Sequence, residues 1–358
     1  MERPLRKLLG LVTGAYATRR SIAGGPGHRG ARSDHFDGAV FRNENPAATA
    51  GKPFGDFLRW QRTSRRTPWP DWVEHPAVTS APPRPGPGEC VATFVNHITF
   101  LLQFRGLNVL TDPVYSERCS PVQWAGPRRV HAPGVPFDRL PRIDLVLVSH
   151  NHYDHLDIDT LQRLEREHRP VFLTGLGNGP FLQQHGLTRV HEFDWWQSRD
   201  ADGWRSTYVP AQHWSGRGLQ GRNRTLWGGF VLEADGCRVY FAGDTGYWRH
   251  FGTIRDRRGA PDLALLPIGA YEPRWFMRDQ HMDPAEAVRA HLDLNARQSL
   301  ATHYGCFQLT DEGIDEPVRE LGIARRAQDV QEDRFVALTP GGTLHVRADR
   351  AVTQPRGE

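Results

Sequence analysis

The chain has 358 residues, 38% of them hydrophobic and 24% charged, with Lys+Arg 45 against Asp+Glu 41 for a formal net charge of +4. That length sets a prior of about two domains, or one large α/β unit with an extension. No apolar run approaches the ~18 residues of a spanning helix, which excludes a membrane-spanning protein, and a mild, interspersed arginine excess gives no ground for a nucleic-acid partner. Residues 1–50 are rich in Gly and Arg and poor in strand pattern, so they are expected to form a flexible or loosely docked N-terminal tail. Within it Leu5, Leu8, Leu9, Val12 and Tyr16 recur at helical spacing beside Arg3, Arg6 and Lys7. That pattern suits a docked surface helix or a basic amphipathic helix on an anionic membrane, and Ala15 with Ala17 admits a weak export signal. Residues 51–88 form a connecting segment that ends in PPRPGPG, a linker composition. A compact domain is expected over 89–346, followed by a C-terminal tail at 347–358.

Inside that domain the pattern predicts strands at 91–95, 99–104, 107–110 and 143–148, the last (IDLVLV) being of the kind buried on both faces. A helix is expected over 158–168. Further strands follow at 171–174, 206–209, 229–232, 239–242, 263–268 and 299–302. A helix over 284–293 has a clear start, with Asp283 as N-cap, Pro284 at its first position and Glu286 completing a capping box. The segment 334–346 is expected to close the fold as a hairpin around Pro340, Gly341 and Gly342. Strands mixed with helices over this length point to an α/β sandwich.

The four cysteines, Cys90, Cys119, Cys237 and Cys306, include no C-x-x-C pair. Neither a zinc ribbon nor a disulfide scaffold is indicated, and a reducing, cytoplasmic compartment is the default. Histidine is the unusual residue, at 17 in the chain. Directly after the run 143–148 comes Ser149-His150-Asn151-His152-Tyr153-Asp154-His155, a loop at the carboxyl end of a strand, where α/β folds place their sites. Three histidines at fixed places in so short a window arise by chance roughly once in ten thousand windows. One such loop can direct His150 and His152 to one metal ion and Asp154 and His155 to a second, and imidazole with carboxylate is a ligand mix for zinc, with iron or manganese as alternatives. More ligands are on offer at later strand ends: His213 in PAQHW, Asp244 in GDTG and His303 before Tyr304-Gly305. Each is weak alone and gains force from its order behind the histidine loop.

An H-x-H-x-D-H loop followed by single His, Asp and His residues at strand ends resembles the metallo-β-lactamase superfamily. The segments VNHIT (95–99), LTDP (110–113), SHNHYDHLD (149–157), QHW (212–214), FAGDTGY (241–247), PIGAYEPRWFM (267–277), QHMDPAEAV (280–288) and ATHYGCF (301–307) further resemble the N-acylphosphatidylethanolamine-hydrolysing phospholipase D family. The resemblance implies a four-layer αββα sandwich and two zinc ions per chain. It implies His150, His152 and His213 on the first ion, Asp154, His155 and His303 on the second, and Asp244 between them. It also implies hydrolysis of the distal phosphodiester by a hydroxide shared between the metals, with Asp154, Asp244 and His281 as the catalytic set. Tyr153 and His281 match positions that touch the substrate head group, and His97 and Asp112 match partners that orient ligand imidazoles. The partners so implied are a phospholipid or another phosphodiester, with peripheral membrane contact and a homodimer as further expectations. A lactonase or small-molecule phosphodiesterase of the same fold is the alternative.

Two features depart from the family pattern: Ser215-Gly216-Arg217 after QHW, and Cys306. Both bear on lipid specificity rather than on the metals. Trp195, Trp196, Trp204, Trp214, Trp227, Trp248 and Trp275 are expected around the site, where aromatics with one wet end suit a lipid–water boundary.

Overall fold

In the computed structural model, which describes residues 27–49, 52–75, 85–201, 203–218 and 221–348, the strand LVLV serves two cores at once. Successive side chains of a strand point to opposite faces. Leu145 and Leu147 therefore enter the layer between two sheets, while Val146 and Val148 lie under a helix with Leu161 and Leu164. All four are fully buried, and each contributes about 1.5–3 kcal/mol relative to exposure.

The first sheet is built from β1 (Glu89–Asn96), β2 (Thr99–Phe104), β3 (Leu107–Thr111), β4 (Leu145–Val148), β5 (Val171–Gly175) and β6 (Val190–Phe193), with the last strand, β14 (Thr343–Arg347), beside β1. The second sheet runs from β7 (Ser198–Ala201) through β8 (Trp204–Val209), β9 (Gly229–Ala234), β10 (Cys237–Phe241), β11 (Leu263–Pro267) and β12 (Gln298–Thr302) to β13 (Phe335–Val336). Both sheets are mixed. β3 to β6 are parallel, as are β10 to β13, and the other pairs are antiparallel. Helices flank the pair. α1 (Pro46–Thr49) and α2 (Phe54–Thr63) precede the sheets, and α3 (Ile158–Glu167) and α4 (Gly179–Gln184) cover the first. Next along the chain are α5 (His250–Arg258), α6 (Arg274–Met277), α7 (Pro284–Asp293), which packs on β11, and α8 (Glu316–Ala327), which packs on α7. The α/β architecture is thus the helix–sheet–sheet–helix sandwich of the metallo-β-lactamase fold. At α7 the reciprocal capping box between Asp283 and Glu286 is formed, with Pro284 in the first turn.

The closing hairpin does not form. β13 pairs with β12 and β14 pairs with β1, in different sheets, because the intervening turn docks on the first sheet: Gly341 N donates to Phe94 O at 2.7 Å and Phe94 N to Gly342 O at 3.0 Å. Strands β6 and β7 add to the expected set; they are edge strands with little apolar content. The expected N-terminal helix and export signal over residues 1–20 lie outside the described residues. Residues 27–49 lie against the sandwich, with Phe36 and Phe41 at 2% and 1% exposure in the main hydrophobic core. In the segment expected as a connector, Trp60 of α2 is buried and stacks on Phe276 at 5.0 Å.

Candidate metal centre

The histidine loop leaves β4 under tight control. Ser149 donates from its amide and its hydroxyl to Asp112, at 2.7 and 2.5 Å, and Tyr208 OH donates to Ser149 O at 2.7 Å. The loop then coils, with Leu156 N donating to His152 O at 2.8 Å. It ends on Asp157, which caps α3 and also accepts from Ser116. Coiling between two fixed ends turns His150, His152, Asp154 and His155 toward the gap where both sheets end. From the second sheet, the segments after β8, β10 and β12 bring His213, Asp244 and His303 to the same gap.

Two donor sets meet there. In the first, His150 Nε2 lies 2.8 Å and His213 Nε2 3.3 Å from His152 Nδ1. In the second, Asp154 Oδ2 lies 3.2 Å from His303 Nε2 and 3.4 Å from His155 Nε2. Asp244 Oδ2 stands between the sets, 3.1 Å from His155 Nε2, 3.3 Å from His303 Nε2 and 3.7 Å from His213 Nε2. A tetrahedral cation with bonds near 2.0–2.1 Å spaces its ligands by about 3.3 Å, so these separations fit coordination. The unmatched atoms agree: His155 Nε2, Asp244 Oδ1 and His281 Nδ1 are buried without a hydrogen-bond partner. Burying polar atoms so is costly unless something else engages them. His/Asp groups able to hold a metal ion recur through the cluster, and in this fold they mark a divalent metal site.

The ring orientations have visible causes. His155 Nδ1 faces Asp112 Oδ2 at 2.7 Å, His213 Nδ1 faces Gln280 O at 2.9 Å and His150 Nδ1 faces Ser149 Oγ at 2.9 Å. Each of these contacts leaves Nε2 for the centre, the arrangement by which outer partners aim metal ligands. His97 touches Asp154 Oδ2 with Nε2 at 3.3 Å, and its ring lies 4.1 Å from that of His303. His97, Asp112 and His303 all have positive φ, at 44°, 31° and 62°. Such left-handed backbone is uncommon outside glycine and concentrates at functional sites.

The electrostatics follow from crowding. Burial depresses His150 and takes His152 and His213 down to about 3, so these rings are neutral and able to ligate. Burial also opposes charge on His155 and His303. There, however, Asp244 and Asp154 prevail, raising His155 well above its ordinary value and His303 to about 9. Despite burial, the surrounding histidines hold Asp154 and Asp244 well below the carboxylate range. Asp154 and Asp244 are thus ionised, and the positive charge they draw onto His155 and His303 is the charge that a bound cation would supply in its place.

At its mouth, His281 Nδ1 is 3.9 Å from Asp244 Oδ2, and burial lowers its pKa to about 3. Tyr153 lies beneath the Arg217 guanidinium, 4.0 Å from its ring centroid. Trp214 packs its ring 4.1 Å from that of His152, whereas Trp195 and Trp227 are in the core. Two functional neighbours escaped the sequence reading. Arg217, noted only as a departure, is 3% exposed and donates to Asn151 O and Leu156 O at 3.0 and 2.7 Å, clamping the histidine loop. Asn43 binds the backbone of His213. Neither lies in a spacing pattern that could reveal it, because both act on main-chain atoms of distant segments.

A family model described as a beta-lactamase superfamily domain matches residues 107–304. An uncharacterized protein of Mycobacterium tuberculosis is 38% identical over 349 residues, 92% of this chain and 93% of its own length. The N-acyl-phosphatidylethanolamine-hydrolyzing phospholipase D 1 of Caenorhabditis elegans is 37% identical over 265 residues, 70% of this chain and 74% of that protein. Among solved structures, an isothiocyanate hydrolase from Delia radicum gut bacteria shares the fold, with a TM-score of 0.56 at 20% identity over 71% of this chain and 98% of that one. A superfamily match over more than half of the chain, together with the nematode relative, shows that the chain belongs to the metallo-β-lactamase superfamily, in the group that includes that phospholipase, and is a metal-dependent hydrolase acting on ester bonds.

Proposed function

We propose that the chain is a binuclear zinc phosphodiesterase of the phospholipase D type, hydrolysing N-acylphosphatidylethanolamine to N-acylethanolamine and phosphatidate. The observation that carries this reading is the position of Asp244 Oδ2 between two donor sets, within 3.7 Å of His155, His303 and His213. On this reading His150, His152 and His213 hold one zinc, Asp154, His155 and His303 the other, and Asp244 both. When bound, two such cations supply a water of lowered pKa and positive charge for the phosphoryl oxygens.

The chain's own groups do the rest. Asp112 fixes the His155 ring so that Nε2 stays in the site. His281 is neutral at ordinary pH, so it meets the substrate with one N–H and one lone pair instead of a charge, and it is held there by Arg274, which donates to His281 O at 2.9 Å. Tyr153 offers a buried hydroxyl beside the Arg217 guanidinium. Trp214 forms an apolar wall beside His152, with the Arg222 guanidinium 4.1 Å from its centroid, a pairing suited to an acyl chain next to a phosphate. In the overall reaction water adds to phosphorus, the P–O bond on the ethanolamine side breaks, and the released oxygen takes a proton. The enzyme works at the bilayer surface as a peripheral protein; no helix among the described residues is long and apolar enough to cross a membrane.

The test is product analysis of the purified, zinc-loaded protein on N-acylphosphatidylethanolamine vesicles, beside lactones and bis-p-nitrophenyl phosphate. Phosphatidate and N-acylethanolamine are expected together. Turnover of lactones without phosphatidate from any N-acyl phospholipid overturns the substrate assignment.

A further inference from the structure

His213 lies beyond the last ladder pair of β8, Val209 with Gly229, and one residue past the bridge of Gln212 with Gly246. From there a side chain from far away in sequence holds its backbone. Asn43 Nδ2 donates to His213 O at 2.9 Å, and His213 N donates to Asn43 Oδ1 at 3.0 Å. The amide thus meets the His213 backbone as a neighbouring strand would, satisfying its N–H and its C=O together. Trp227 Nε1 donates to the same Oδ1 at 3.1 Å, which fixes the rotation of the amide plane. With Nδ1 facing Gln280 O, His213 is held at three points and its Nε2 has one direction left.

Asn43 can act this way because its own segment is anchored. Phe36 and Phe41 are in the main hydrophobic core. Phe41 N donates to Asn223 O at 2.7 Å and His28 N to Arg224 O at 2.8 Å, while the His35 ring stacks on Trp195 at 4.4 Å. Asn43 is itself 8% exposed.

We propose that Asn43 is a positioning residue for the metal ligand His213, so that the strap of residues 27–49 is a working part of the metal centre. This rests on His213 being a ligand, and the experiment separates the two claims. Full-length wild type, Asn43→Ala, Asn43→Asp and the control Arg42→Ala, which breaks only the exposed pair with Asp37, are titrated with zinc against a chromophoric chelator. Thermal unfolding of each metal-free protein is followed in parallel. Asn43→Asp keeps an acceptor for His213 N–H and Trp227 but turns a second oxygen toward His213 O.

The expected result is two zinc ions in wild type and in Arg42→Ala. Both Asn43 variants should keep one at wild-type affinity, bind the other about 10- to 100-fold more weakly, and, having lost buried hydrogen bonds, unfold somewhat below wild type when metal-free. Wild type that takes up no zinc defeats the metal assignment itself. Wild-type affinity at both sites in the Asn43 variants overturns the role of Asn43 alone. Equal weakening at both sites with a lowered metal-free transition, or failure of both variants to fold, also overturns it, since either outcome makes Asn43 a general structural residue.

Discussion

Asp244 is the side chain whose loss should be least tolerated, because one oxygen serves histidines from both donor sets. Asp244→Asn keeps the shape and removes the charge, so turnover should fall by more than the roughly 100-fold typical of losing an outer partner, with zinc content reduced by elemental analysis. Wild-type turnover in that variant would take Asp244 out of the site. His281→Ala should behave oppositely, lowering lipid turnover while leaving zinc content intact; loss of metal there would make His281 a ligand. The histidine loop was legible because its pattern is local, three histidines and an aspartate within six positions, whereas Asp244 and His281, each a single residue, gained meaning from that loop and from the family resemblance. Asn43 and Arg217 were illegible for the converse reason. An amide in a Gly- and Arg-rich stretch carries no periodic signal, and its partner is 170 positions away.

At the scale of elements, legibility tracked burial. β4 could be read because both of its faces are apolar, and α7 because Asp283, Pro284 and Glu286 spell out its start. β7, sequence SRDA, is a largely exposed edge strand, and nothing in its composition separates it from a loop. The final hairpin was misjudged because turn residues report a turn and not the sheet to which each arm belongs. The strap of residues 27–49 carries a pH prediction. Burial works against charge on His35, but Asp194 at 2.7 Å and Asp34 outweigh it and raise its pKa. A raised folded-state value means the pair's contribution is complete below the unfolded value of 6.5 and disappears as pH rises through the folded one. Amide protection within 27–49, with the base-catalysed intrinsic rate divided out, should therefore fall from about pH 6.5 upward, and Asp194→Asn should flatten that dependence. A profile equally steep in the variant would show that another group is responsible.

For the whole molecule, the first sheet supplies the histidine loop with His97 and Asp112, and the second supplies His213, Asp244 and His303. Anything bound by the folded centre and not by the unfolded chain stabilises by mass action, about 2.7 kcal/mol at a ligand concentration one hundred times its dissociation constant. Dialysis against a chelator should lower the thermal transition measured by calorimetry, and zinc should restore it; an unchanged transition would mean that the cluster holds no structural cation. The fold class was readable because the order of strands and helices points to an α/β sandwich and the family resemblance implies its four layers, whereas the seam between the sheets was not, since no single segment contains it. That seam has a mechanical consequence. With ligands drawn from both sides, the ions would act as rivets through a two-leaf hinge: prising the leaves apart must break coordination before it exposes the apolar filling, so the centre guards the joint as much as the joint shapes the centre.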